Sequence, residues 1–442
     1  MALASLKIDA LRYAILAAAF QLLGLLRVVV VADILGAELQ GLGLMIGVVT
    51  AFFLASFQNG TDVLSMQRPF QAREGFLETA YSIGFGRAIL VSLGILLAAP
   101  LAAKFFGEEV ILLPIAALAI IPVLRSFQNA SPWMDLSEGD YRAVARMEFI
   151  TATVGFAAAM IAIALFQNVW VYVVMGVSTP LCAAVGSHLY CRRKYRLALR
   201  REYFGEILRF TIPLMPAGLA FFVASQAESG LLAFASKDFE RFGISLALLG
   251  AYGTVATLLL TPQGPLGRLM QSLILGRIQK ENQADFDEQR IAGVALSGLR
   301  MTGVLIAAYI LASGVPFRFV GGMVLTESYQ PGLEICFPIG FVFMMKMLRS
   351  AAYNCALGNG STTVTMHGNL LRAILILIPA SALFIVGGLI PFVWSMVLAE
   401  VVTLAFVSSI LLKRKYVGLR EFGVLFLLPM AAAALSGKLF MV

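Results

Sequence analysis

Eight basic residues interrupt stretches that are otherwise apolar: Arg27, Arg87, Arg125, Arg268, Arg300, Lys346, Arg349 and Arg372. A basic side chain at the centre of a membrane helix costs about 2.5–3.5 kcal/mol to insert. Eight of them facing lipid would cost on the order of 20 kcal/mol, comparable with the stability of a whole domain. Most must therefore face a wet cavity or a partner, or extend to an interface. Arg27, Arg300 and Arg372 lie near span ends, and for Arg300 and Arg372 snorkelling stands as an equal reading. Arg87, Arg125, Lys346 and Arg349 have less room to escape, as does Arg268.

Intramembrane acids are fewer: Asp62, Glu228 and Glu400. The excess of cations predicts a positive interior that attracts an anion. The guanidinium fork, with two parallel donors, suits phosphate. These cations are the expected substrate-binding set, for a phosphate- or pyrophosphate-bearing ligand. The three acids are candidates for binding a coupling ion, although Glu400 equally suits a structural partner of a nearby arginine. Glycan-reading polar groups are sought among Gln128, Asn129, Gln226, Gln263 and Asn354. Prolines 122, 213, 216, 262 and 265 punctuate the same helices, where each permits a bend and most serve as ordinary packed kinks.

The elements carrying these residues follow from composition. Of 442 residues, 60% are hydrophobic and 13% are charged, against about 25% charged in a soluble domain. Apolar runs long enough to cross a bilayer are expected at 13–32, 41–63, 82–103, 110–130, 148–166, 169–190, 210–235, 243–268, 292–313, 331–356, 367–387 and 391–412. A further run at 422–441 suits either a thirteenth helix or an interfacial segment. The fold class is thus an all-α polytopic membrane protein. With the N-terminus inside, twenty Lys and Arg fall on the cytoplasmic side and four in outer loops, which fixes the expected orientation. Lys7 and Arg12 ahead of the first run resemble a signal peptide, but no A-x-A site follows, so a first spanning helix is expected.

The chain reads as built twice. Residues 1–195 form an expected first lobe, 196–209 a basic cytoplasmic linker, 210–415 a second lobe and 416–442 the tail segment. L-R-Y at Leu11–Tyr13 and L-R-F at Leu208–Phe210 open the halves, and glycine-marked helices follow in each. Parallel repeats of this kind place a site between halves in transporters. The linker reads as a surface helix against anionic headgroups. His188 and His367 stand alone, the four cysteines read as small apolar residues, and no metal site or cofactor is expected. N-G-T at Asn59 and N-G-S at Asn359 match the glycosylation pattern but fall on the cytoplasmic side. No phosphate-binding GxxxxGK[ST] loop occurs.

The opening LLGLLRVVVVADILGAELQGLGLMIGVVTAFFLASFQNGTDVL resembles the first two helices of polysaccharide/O-antigen-type lipid-linked oligosaccharide flippases, in the multidrug/oligosaccharidyl-lipid/polysaccharide exporter superfamily. The carriers are Arg27 in the first helix and the L-G-x-x-x-x-G of Leu35, Gly36 and Gly41. FTIPLMPAGLAFFVASQAESGLLAF followed by LGAYGTVATLLLTP extends the likeness into the second half, so that it spans residues 5–415. The resemblance implies two six-helix lobes forming a V around a cationic chamber. It implies flipping of an undecaprenyl-pyrophosphate-linked oligosaccharide between leaflets of a bacterial inner membrane by alternating access, without enzymatic chemistry. Implied partners are that lipid, membrane lipids, H⁺ or Na⁺, and polysaccharide-assembly proteins, with no nucleic acid. Where relatives carry an Asp-Arg pair in the seventh helix, this chain has Glu228-Ser229. Two alternatives are weighed against this: an exporter of organic cations, for which an acidic or aromatic pocket is expected, and a membrane-embedded polymerase or ligase, whose large outer loop is missing here. A channel or scaffold completes the set.

Overall fold

The structure, a computed structural model, is described for residues 2–56, 75–137, 142–212, 214–261, 303–313, 315–358 and 362–414, with 423, 427 and 429–436 near the C-terminus. The described residues form helices and short connections, with no strand. That is the outcome the bilayer imposes, because a spanning segment must satisfy its own backbone hydrogen bonds. The main elements are α1 (Ala2–Ser56), α2 (Phe76–Phe106), α3 (Glu109–Ser126), α4 (Arg142–Phe166), α5 (Trp170–Leu189), α6 (Arg201–Thr211) and α7 (Leu214–Ala235). They continue with α8 (Leu246–Leu260), α9 (Gly303–Ser313), α10 (Val315–Val324), α11 (Cys336–Gly358), α12 (Thr362–Ile374) and α13 (Leu389–Lys413). Among the described residues, seven helices are long and apolar enough to cross a membrane, or nine if each of two bent pairs is one span. The protein is a multi-pass membrane protein.

Punctuation falls where the backbone chemistry requires it. The first two expected spans form one helical run broken at Gly36, whose φ of 76° and ψ of 169° are adopted almost only by glycine. In α3, Pro122 has no N–H to return to the Leu118 carbonyl. The helix breaks at Ala119, whose N–H bonds Ala116 O at 3.1 Å instead. The Glu327–Leu333 segment meets α11 at 49°. After α12 a π-helical turn, Ala382–Val386, stops at Gly387 and Gly388, both at positive φ. The rest of the eighth span beyond Thr261, Pro213, Asn59, Asn359 and most of 422–441 lie outside the described residues.

The chain divides into two compact units, Met1–Phe234 and Ala235–Val442. In the first, Val31 and Leu35 of α1 pack on Ala159, Ala162 and Ile163 of α4 and Val171 of α5. Small residues let these helices approach closely; a Cβ at Gly94 would stand 2.8 Å from the Phe53 ring. The seventh expected span, α7, belongs here through Phe222 against Phe52 at 5.3 Å and Phe234 against Phe105 at 4.9 Å. In the second unit, α9, α11 and α13 share a core that includes Ile310, Phe343, Leu348 and Val407. Outward faces are apolar too: Leu97 is 74% exposed and Ile385 82%. An aqueous surface would penalise that exposure, and hydrocarbon does not.

The basic linker is helical only from Arg201 onward. Residues 191–200 instead form an irregular strap fastened to the first unit. Asn129, 1% exposed, ties it down. Its amide donates to Arg193 O at 2.7 Å and its Oδ1 accepts from Ser131 N at 2.9 Å and Tyr81 OH at 3.3 Å. Tyr195 donates to Ser126 O at 2.9 Å and stacks on Tyr81 with centroids 4.5 Å apart. Burial, with Tyr81 as a lesser cause, raises its hydroxyl pKa to about 12. Farther along, Ile207 of α6 packs against Phe76 and Ala80, which explains why α2 begins at Phe76, ahead of the expected position 82. The surface-helix reading holds for Arg201–Thr211, whose Arg201 and Arg209 are exposed, and not for residues 191–200, where the backbone is non-helical and bonds protein atoms.

Two outcomes are expected in detergent. Gly36→Ala should lower stability by about 1–3 kcal/mol, read as a reduced Tm. Asn129→Ala should cost about 1–3 kcal/mol for each buried group it strands and should speed tryptic cleavage after Arg193; unchanged cleavage would contradict the anchoring role.

Candidate functional site

The second unit gathers four of the intramembrane charges. On α11, Lys346, Arg349 and Tyr353 recur at spacings of three and four, which places them along one helix face. On α12, Asn369 and Arg372 are likewise three apart, and α13 contributes Glu400. Arg372 Nε donates to Glu400 Oε1 at 2.7 Å, and both side chains are fully buried. Arg349 approaches the same carboxylate less closely. Its Nη2 lies 3.5 Å from Oε1, and its Nε is 3.2 Å from Oε2 as an ion pair without hydrogen-bond alignment.

The remaining Arg349 donor, Nη1, reaches Tyr353 OH and Asn369 Oδ1, each at 3.3 Å, and Tyr353 OH also donates to Asn369 Oδ1 at 3.3 Å. Gly368 makes room for that hydroxyl, which occupies the space a Cβ there would take. Lys346, 8% exposed, lies within electrostatic reach of both Glu400 and Arg349. Two arginines thus pair with one carboxylate, with Lys346 beside them. Burying one ion already costs several kcal/mol, so each of these charges depends on the partners it meets in the cluster.

The other expected residues are distributed differently. Arg27 lies half-buried in the first unit with its Nη1 toward Gly155 of α4 and near Thr179 of α5, and its Nε meets no hydrogen-bond partner. Arg87 is half-buried on α2. Arg125 is exposed in the last turn of α3, because that helix ends at Ser126 and leaves the arginine at its rim. Glu228 is buried on α7 of the first unit. Arg372, for which snorkelling was one reading, is fully enclosed because Glu400 supplies a partner at depth. Arg268, Arg300 and Asp62 lie outside the described residues. Of the polar residues considered for reading a glycan, Asn129 is occupied by the strap, while Tyr353 and Asn369 were not among them. Their signal was present as spacing: Tyr353 is four residues after Arg349, and Asn369 three before Arg372.

Removing the shared carboxylate tests the arrangement. Glu400→Gln strands two guanidiniums and should cost about 3–5 kcal/mol, seen as a large fall in Tm. Arg349→Gln leaves the Arg372–Glu400 pair intact and should cost less. Equal losses would contradict this ranking.

Comparison with known proteins sets the site in context. A family model described as polysaccharide biosynthesis protein matches residues 30–262, just over half of the chain. No curated protein matches. Among solved structures, the lipid II flippase MurJ in its inward closed conformation is similar at 13% identity, with 98% of each chain covered and a TM-score of 0.64. An inward-facing multidrug resistance transporter of the MATE family, in the MOP superfamily, is also 13% identical; the match covers 96% of this chain and 99% of that one, with a TM-score of 0.60. A MOP superfamily transporter from Pyrococcus furiosus, described by the reverse polarity of its binding pocket, is 13% identical over 93% and 94% of the chains, at 0.57. At such identities the likeness is one of fold, the two-lobed helical fold of the MOP transporters. With the sequence model matched over more than half its length, the chain belongs to the polysaccharide biosynthesis protein family.

Proposed function

We propose that the protein is a flippase that carries an undecaprenyl-pyrophosphate-linked oligosaccharide, a polysaccharide repeat unit, from the cytoplasmic to the periplasmic leaflet of a bacterial inner membrane. It acts by alternating access, as a secondary transporter that makes and breaks no covalent bond in its cargo. The observation that carries this reading is the gathering of Lys346, Arg349 and Arg372 around Glu400, with the Arg349 guanidinium only loosely held. A pyrophosphate headgroup is the lipid component whose charge and oxygen geometry match such a cluster. Membership of the polysaccharide biosynthesis family supports the same cargo class.

The remaining features fit this proposal as follows. The sequence halves are taken as residues 1–195 and 210–415, joined by 196–209, a division that differs from the compact units because α7 packs in the first; the N-terminus is cytoplasmic on the strength of the Lys and Arg distribution. Arg27, Arg87, Arg125, Arg268 and Arg300 are proposed as further cargo-binding cations by their residue type alone. Glu400 serves as counter-ion to two arginines; Asp62 and Glu228 are the acids proposed to bind H⁺ or Na⁺ in coupling. Export of organic cations fits poorly, because a cationic ligand would be repelled by the second unit's cluster.

Purified protein in proteoliposomes should flip a fluorescent lipid-linked oligosaccharide faster than protein-free vesicles do. A combined Lys346→Gln and Arg349→Gln change should slow it by about tenfold or more. Export of cationic dyes without movement of any polyprenyl-pyrophosphate sugar would replace this function with the drug-export reading.

A further inference from the structure

The cluster in the second unit is graded by depth, and the gradient separates its two arginines. At the bottom, Arg372 and Glu400 are sealed from solvent and joined at 2.7 Å. Above them, the Arg349 side chain is 10% exposed and holds the carboxylate at 3.2 and 3.5 Å. At the top, Tyr353 and Asn369 are half-buried and share the outer edge of the Arg349 guanidinium. Glu400 therefore has one short partner and one long one. Withdrawing Arg349 leaves the carboxylate neutralised by Arg372. Withdrawing Arg372 would break a fully buried pair whose members have no contact with solvent, the costlier rupture.

We infer that Arg349 is an exchangeable anion receptor and that Glu400 is its built-in stand-in ligand. This inference rests on the proposed pyrophosphate-lipid cargo. With no cargo bound, the carboxylate occupies the guanidinium. A phosphoryl oxygen arriving past Tyr353 and Asn369 takes Arg349 over, while Arg372 keeps Glu400 satisfied. Lys346 adds positive charge without offering the planar fork. The Tyr353 hydroxyl and the Asn369 side chain hold the guanidinium at the outer edge and turn it toward the incoming anion. Departure of the cargo returns Arg349 to Glu400, so release is assisted by an internal competitor and does not strand a buried charge. The step is a swap of ion pairs; no covalent bond changes.

The inference separates from the flippase reading by adding a second anion. Asn369→Asp places a carboxylate beside Arg349 Nη1 on the exposed side, where it competes with the ligand and leaves the deep pair untouched. The probe is farnesyl pyrophosphate, titrated calorimetrically against the full-length protein in detergent. Wild type should bind it, with inorganic pyrophosphate competing. Asn369→Asp and Arg349→Gln should each weaken binding roughly tenfold or more, and Asn369→Asp should keep the wild-type Tm. Arg349→Lys should recover only part of the loss, because an ammonium lacks the fork. Wild-type binding with unchanged affinity in both Asn369→Asp and Arg349→Gln would overturn the exchange role while leaving the cargo class standing. Absence of binding by wild type would overturn both.

Discussion

Glu400 is the charge on which the second unit depends. A carboxylate placed deep in an apolar bundle is prohibitive alone, and so is a guanidinium. Together, Glu400 and Arg372 make a pair that can be buried completely, and the pair then sets the register of α12 against α13. Once that register is fixed, Asn369 falls one turn from Arg372 and meets Arg349 and Tyr353 from the neighbouring helix. The polar cluster is thus assembled by one deep electrostatic contact, and helical periodicity places the rest.

The first unit solves a different problem with neutral groups. Its end is closed by the amide of Asn129 and the hydroxyls of Tyr81, Ser131 and Tyr195, each bonded to backbone or to one another. Hydrogen bonds of this type avoid the desolvation of ions, and a neutral network suits a part whose task is to hold a chain in place. The charged cluster and the largely neutral knot show two ways in which polar atoms are tolerated inside this molecule, one by ion pairing and one by hydrogen bonds among amides and hydroxyls.

Much of this was legible in the amino acid sequence, because the bilayer enforces long apolar runs and penalises buried charge strongly. Gly36 was marked by its motif, and the break occurs there since few other residues accept its dihedral angles. Lys346, Arg349, Arg372 and Glu400 were each conspicuous for their type. Their assembly was not, because Arg372 and Glu400 are 28 positions apart on different helices and nothing local encodes the pairing. Arg125 falls in the last turn of α3, because that helix ends at Ser126, four residues before the expected end. The linker was read through its charge, and charge does not reveal that Asn129, more than sixty positions upstream of Arg193, would hold its backbone in place.

That strap has a mechanical consequence. A basic stretch between two halves of a transporter is easily pictured as slack cord that lets each half move at will. Here residues 191–200 are held between the end of α5 and the start of α6, fastened by Asn129 at Arg193 near one end and by Thr79 accepting from Arg200 N at 3.1 Å at the other. A fastened cord has no length to give. The segment works as a tie rod within the first unit, and any strain applied at α6 is passed directly to the Tyr81 end of α2.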